Sequence, residues 1–246
     1  MGGAVDVLIS RMVALLEELE ATGDPARFFL GTYLRTTQAV RAALDDGRFE
    51  DPAWVAEWDV DFAGFYLDAL EAYRRDPGSA PDPWRRAFGA ARSLPPEAHV
   101  LLGMNAHINF DLPQSLLRII PDDEFTDSGT LAARERDHER IDGVLASRVA
   151  AEDAELARVG GRRTLLDRLL APANRAASRL FLREARRKVW ANTAVLHDAA
   201  VRGEGSYQRR LGQLEALSAG RVADLLRPGP VLLRLALHGF GVTLPA

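Results

Sequence analysis

The stretch Val100-Leu101-Leu102-Gly103-Met104-Asn105-Ala106-His107-Ile108-Asn109-Phe110-Asp111-Leu112-Pro113 decides how the rest of the chain is read. On a helix its apolar residues point around the whole circumference, which marks a segment buried on most sides. Yet it carries four polar side chains within seven positions, Asn105, His107, Asn109 and Asp111. A buried polar group without a partner costs about 1–3 kcal/mol, so the string implies a specified network. At helical spacing Asn105 and Asn109 share a face, and so do His107 and Asp111, so each pair can act together. Pro113 cannot donate to the carbonyl of Asn109. A kink or break there offers a free acceptor to a ligand, a water or a side chain.

Outward from this segment, nearly every long stretch follows the 3-4 spacing of amphipathic helices and almost none alternates as strands do. The fold class is all-α: one multi-helix bundle of about eight to ten helices spanning residues 1–246, with a polar-bearing helix buried at its centre. The periodicity predicts helices over about 4–21, 25–44, 52–75, 82–92, 96–119, 128–158, 162–170, 173–201, 206–226 and 229–239. Gly23-Asp24-Pro25 puts a capping Asp before a proline at a helix start, and Asp51-Pro52 repeats the device. Asp76-Pro77-Gly78-Ser79-Ala80-Pro81-Asp82-Pro83 is the clearest loop.

The 246 residues, 47% hydrophobic and 27% charged, exclude a disordered, collagenous or disulfide-built chain. With no cysteine there is no disulfide, thiolate ligand or cysteine nucleophile. The net charge of −4 hides an asymmetry: residues 1–160 carry 16 basic and 29 acidic residues, residues 161–246 carry 15 and 6. The acidic and basic parts attract one another. The basic part lacks the aromatic interleaving of single-strand binders, so no nucleic-acid partner is expected. No apolar run approaches the roughly 20 residues that span a bilayer, and the first residues do not resemble a secretory signal. A cytoplasmic protein is expected, with peripheral membrane contact through the leucine-rich, basic C-terminal part as a lesser alternative.

The run Leu102-Gly-Met-Asn-Ala-His-Ile-Asn-Phe-Asp-Leu-Pro113 resembles the hallmark of a bacterial family known as domain of unknown function 5995. Phe28-Phe-Leu-Gly-Thr-Tyr-Leu-Arg-Thr-Thr37 and Trp58-Asp-Val-Asp-Phe-Ala-Gly-Phe-Tyr-Leu-Asp68 fit the same family, so the resemblance covers most of the chain. It implies an all-α domain with the polar string at its centre, and no particular activity.

Other segments offer partners to the string. His138 and Asp142 repeat the His-x-x-x-Asp spacing of His107 and Asp111. Two His and two carboxylates on two helices are a ligand set for a divalent Fe, Mn or Zn ion. Glu135-x-x-His138 matches only half of a di-iron pattern. Asp61 and Tyr66 lie among large apolar residues, where a partly buried carboxylate has a raised pKa and serves as acid or base. Tyr33, Arg35 and Thr36 could bind an anionic group, and Arg35 could equally pair with Asp59 or Asp61. Asn192, Thr193 and His197 sit in a further apolar helix.

Phosphate-cradling glycine loops, the Gly-x-Ser-x-Gly elbow and His-Glu-x-x-His are absent from the sequence. Two readings stand. In one, the chain is a small-molecule enzyme: His107 and Asp111 are catalytic or hold a metal with His138 and Asp142, while Asn105, Asn109, Tyr33, Arg35, Asp61 and Tyr66 bind substrate. In the other, it is a non-catalytic helical module that takes an apolar ligand or a protein partner, with the string as a structural network.

Overall fold

The computed structural model describes residues 3–141, 143–144, 172–229, 231, 234–235 and 239–245. Helix α1 runs over Gly3–Thr22, α2 over Ala26–Asp45 and α3 over Pro52–Arg75. A 3-10 turn, Pro77–Ser79, leads to the short α4, Asp82–Phe88. Then come α5, Pro96–Ala106, a wide turn, His107–Asp111, and α6, Leu112–Ile119. Residues 128–141 are helical, followed after a gap by α7, Pro172–Val201, and α8, Glu204–Leu226. No strand occurs among the described residues, and the fold is all-α.

Helix starts follow local chemistry. Asp24 Oδ1 accepts from the Ala26 amide at 2.9 Å, and Asp51 Oδ1 accepts from Trp54 N at 3.0 Å with Pro52 at the first helical position. The helix expected over 82–92 ends at Phe88 with Gly89 as its C-cap, a position where a Cβ would lie 2.8 Å from the Arg85 carbonyl and only glycine fits. The helix expected over 229–239 gives way by residue 239 to an extended segment, 239–245. The far part of 128–158 and all of 162–170 lie outside the described residues.

The α5–α6 rod is packed by α2 and α3 on one side and by α4, α7 and α8 on the others, as its all-round apolar surface requires. One core joins Met12, Leu19, Leu30, Leu67, Leu70 and Leu102 across α1, α2, α3 and α5. A second joins Trp54, Trp58, Leu116, Ile120, Ile141 and Val189. The 128–141 helix is pinned by buried Asp137, whose two oxygens accept from Glu50 N and Asp51 N at 2.7 Å each, and by Arg134, which pairs with Asp51 and Glu124. These bonds hold the start of α3 in register, and α3 carries half of the site described next.

Candidate functional site

The polar string falls on the wide turn. The Leu112 amide donates to the His107 carbonyl, five residues back, and the next residue, Pro113, has no amide to donate. The break that the proline imposes is thus a single π turn, with the Phe110 carbonyl taken by Gln114 Nε2 at 2.7 Å. Turns of this kind add a residue to the helical circuit and turn side chains into places a regular helix cannot reach. His107, Asn109, Phe110 and Asp111 are all buried on it.

On one side of the turn, Asp111 Oδ2 accepts from Trp84 Nε1 at 2.8 Å and lies 2.8 Å from His107 Nδ1. An indole nitrogen only donates, so this oxygen is an acceptor, and an ionised Asp111 takes the Nδ1 proton. The Nε2 lone pair is then left facing inward. Burial pushes His107 below its ordinary pKa, against the pull of Asp111, and burial pushes Asp111 above the usual carboxylate range, against His107 and Trp84. The imidazole is accordingly neutral at pH 7, the state that serves as a base.

Aromatic rings enclose that imidazole. Phe62 stacks on it at 3.7 Å between centroids and 5° between planes, and Tyr33 meets it edge-on at 4.8 Å. Phe29, Trp84 and Tyr66 complete the cage at 5.9 to 6.2 Å. Gly103 makes room for it: a Cβ there would lie 2.5 Å from the Phe29 ring. His107 Nε2, the hydroxyls of Tyr33 and Tyr66, and Asp59 Oδ2, whose carboxylate acts on Tyr33, are buried and meet no hydrogen-bonding partner among the described residues. Burial, then the Asp59 and Asp111 carboxylates, push Tyr33 well above its ordinary pKa. Burial also lifts Asp59 to about 7. Asp59 is thus the acid that sequence reading weighed only as an ion-pair partner; its spacing of seven from Tyr66 on α3 was the available signal.

The other side of the turn is bonded to backbone through Asn109 at both ends of its carboxamide and through Asn105 at Nδ2, while Asn105 Oδ1 is buried and meets no hydrogen-bonding partner among the described residues. Asn105 Nδ2 and Asn109 Nδ2 donate to the Phe240 carbonyl at 3.1 and 3.0 Å, and Asn109 Oδ1 accepts from Val242 N at 3.1 Å. The two Asn expected to hold substrate hold backbone instead. Asn192, on α7, does the same one step along, with Val242 O at 3.0 Å and Leu244 N at 2.8 Å.

The remaining expected residues are dispersed. Asp61 accepts from Ser115 Oγ at 2.7 Å and pairs with Arg118 at 3.0 Å, beside the cage rather than in it. Arg35 reaches Thr32 Oγ1 on its own helix at 3.4 Å. His138 Nδ1 accepts from Trp190 Nε1 at 3.2 Å. Asp142 lies outside the described residues. Trp58 packs on His138 at 5.3 Å and on Phe62 at 6.2 Å, so two aromatic side chains stand between the His138 and His107 rings. Among the described residues no three His, Asp or Glu come together as a metal site, so the set of His107, Asp111 and His138 is not assembled. No helix among the described residues is long and apolar enough to cross a membrane. His197, near the far end of α7, stacks on Phe125 at 3.9 Å.

No curated protein and no solved structure matches the chain significantly. A family model described as a family of unknown function (DUF5995) matches residues 5–228, which include α1 to α8 almost entirely and the whole of the polar string. By that match, the chain belongs to the DUF5995 family of unknown function.

Proposed function

We propose that the cage around His107 is the reaction site of a small-molecule enzyme that works by acid–base chemistry. The observation that carries this reading is the set of buried, unpartnered polar atoms on and beside one aromatic cage: His107 Nε2, Tyr33 and Tyr66 Oη, and Asp59 Oδ2, which acts on Tyr33. A folded chain tolerates such groups at a cost of about 1–3 kcal/mol each, and a polar ligand that satisfies them recovers that cost. In this reading His107 Nε2 accepts a proton from the ligand. Asp111, itself held by Trp84, fixes the tautomer and stabilises the imidazolium that forms. The two tyrosine hydroxyls hydrogen-bond the oxygen on which charge develops, and Asp59, near pKa 7, returns a proton.

The ligand is small, polar and uncharged or weakly anionic, because the cage is apolar and its carboxyl group is held partly protonated. A cleft lined by Phe29, Trp84, Phe88, His99 and Gly103 shares two walls with the cage, and in this reading the ligand approaches through it. Acid–base chemistry takes precedence over the metal reading because His107 and His138 are held apart by Trp58 and Phe62 and each has its Nδ1 engaged. The protein is proposed to act in the cytoplasm on a soluble molecule.

A screen of cell-extract metabolites by ligand-detected NMR tests this, with wild-type protein set against a folded Tyr33→Phe/His107→Asn variant. At least one small polar compound binds the wild type, is lost from the variant and is converted on incubation. Equal binding profiles for the two proteins, with no conversion, would leave the string as a purely structural network.

A further inference from the structure

Residues 239–245 form an extended strap in a groove between the π turn and α7. Among the described residues, every polar contact the groove makes with the strap goes to backbone. Asn109 and Asn192 each take an amide hydrogen and a carbonyl from residues two apart, as a neighbouring β-strand would. Asn105 adds a second donor to the Phe240 carbonyl, Lys188 Nζ donates to the Gly241 carbonyl at 3.1 Å, and Arg210 donates to the Pro245 carbonyl at 3.1 Å. Recognition through main chain reads extension and not sequence.

Sequence enters through packing alone. Phe240, Val242 and Leu244 are buried to one side, while Thr243 between the last two is exposed. Phe240 packs with the core that includes Phe29 and Tyr66; Val242 and Leu244 pack with Phe110, Leu196 and Leu214. Gly241 lies against α7, where a Cβ would come within 3.0 Å of Ala185 Cα, so glycine is required there. The groove therefore selects apolar, glycine, apolar, any residue, apolar. Its polar receptors Asn105, Asn109 and Asn192 all lie within the family match of residues 5–228, and the strap lies beyond it.

We propose that this groove is a binding site for an extended peptide of that pattern, occupied in cis by the strap, which a peptide in trans displaces. Buried carboxamides spaced to pair with alternate residues form a receptor whose affinity comes from main-chain bonds and whose specificity comes from three apolar pockets and one glycine contact. The strap's polar contacts among the described residues involve neither His107 nor Asp111, and the groove meets the cage only through the apolar core that Phe240 shares with Phe29 and Tyr66.

The test uses the full chain and a fluorescent peptide with the sequence of residues 239–245. Val242→Asp weakens the strap in cis by placing a charge in an apolar pocket, so this variant binds the peptide saturably at least tenfold more tightly than wild type does. Adding Asn192→Ala to Val242→Asp lowers the affinity at least tenfold, and a peptide with alanine in place of Gly241 binds at least tenfold more weakly. A Val242→Asp protein with wild-type helical circular dichroism that binds no peptide would overturn the proposal. Hydrogen exchange of the wild type covers the case of a variant that does not fold. The Val242 and Leu244 amides exchange through a local opening at least a hundredfold faster than α3 core amides; equal protection would make the strap a permanent part of the core and overturn the proposal.

Discussion

The two sides of the His107–Asp111 turn come from one string of residues and meet opposite fates. On the asparagine side, Asn109 has both ends of its carboxamide bonded to strap backbone. On the histidine side, only Nδ1 is bonded, to Asp111, and Nε2 is buried without a hydrogen-bonding partner among the described residues, as are the hydroxyls of the neighbouring Tyr33 and Tyr66 and Asp59 Oδ2. Burial is equal, since His107 and Asn109 are 3% and 1% exposed, so the difference lies in partners alone. Two acids repeat the contrast: Asp137 is buried with both oxygens bonded to amides, whereas Asp59 is buried with an oxygen unbonded. A saturated network holds a fold together; an unsaturated one is the complement of something else.

The contrast gives variants of opposite sign, and the largest effect belongs to the saturated side. Asp137→Ala strands two backbone amides and leaves Arg140 with Glu50 alone, and urea denaturation is expected to show a loss of about 2–4 kcal/mol. Asp59→Asn acts the other way. The folded-state pKa of Asp59 is raised to about 7, so the folded protein keeps a proton that the unfolded chain releases near pH 4. Wild-type stability from this group is full below about pH 4 and falls as pH rises to about 7, by an upper limit of about 4 kcal/mol. Asn in its place flattens that slope, and thermal melts at pH 5 and pH 8 report it. Loss of stability at both pH values would show that Asp59 has a partner worth keeping.

Asn109→Ala leaves the Val242 amide unbonded and the Phe240 carbonyl with Asn105 alone, for an expected loss of about 2–3 kcal/mol by chemical denaturation. If that variant is neutral, the strap's main-chain pairing contributes little and its packing alone keeps it in place.

How much of this was legible in the sequence follows from what each feature depends on. The helices are local: α3 begins with its Asp51-Pro52 cap and ends at Arg75, as its pattern predicts, because capping and periodicity act over a few residues. The polar string was legible as a buried network because no other arrangement pays for four polar groups on an all-round apolar helix. Its division into two sides was not, since spacing places Asn105 and Asn109 on one face without saying that Phe240 and Val242, more than 130 residues on, will meet them. Asp61 and Asp59 differ by two positions on α3, so spacing alone favours neither; only the packing of α6 takes Asp61 to Ser115, while Asp59 stays buried with Oδ2 unbonded. The pairing of His107 with His138 failed for a steric reason, the rings of Trp58 and Phe62 that lie between them.

The smallest of the expected effects tests the central claim most directly, because its sign alone decides. Tyr33→Phe and Tyr66→Phe each remove one buried hydroxyl that has no partner and leave the ring that packs against His107. If those hydroxyls are held for a ligand, the ligand-free double variant is more stable than wild type by about 1–2 kcal/mol in urea denaturation at pH 7. A double variant less stable than wild type by a similar amount would show that the hydroxyls already serve the fold, and the His107 cage would lose its claim to be a site.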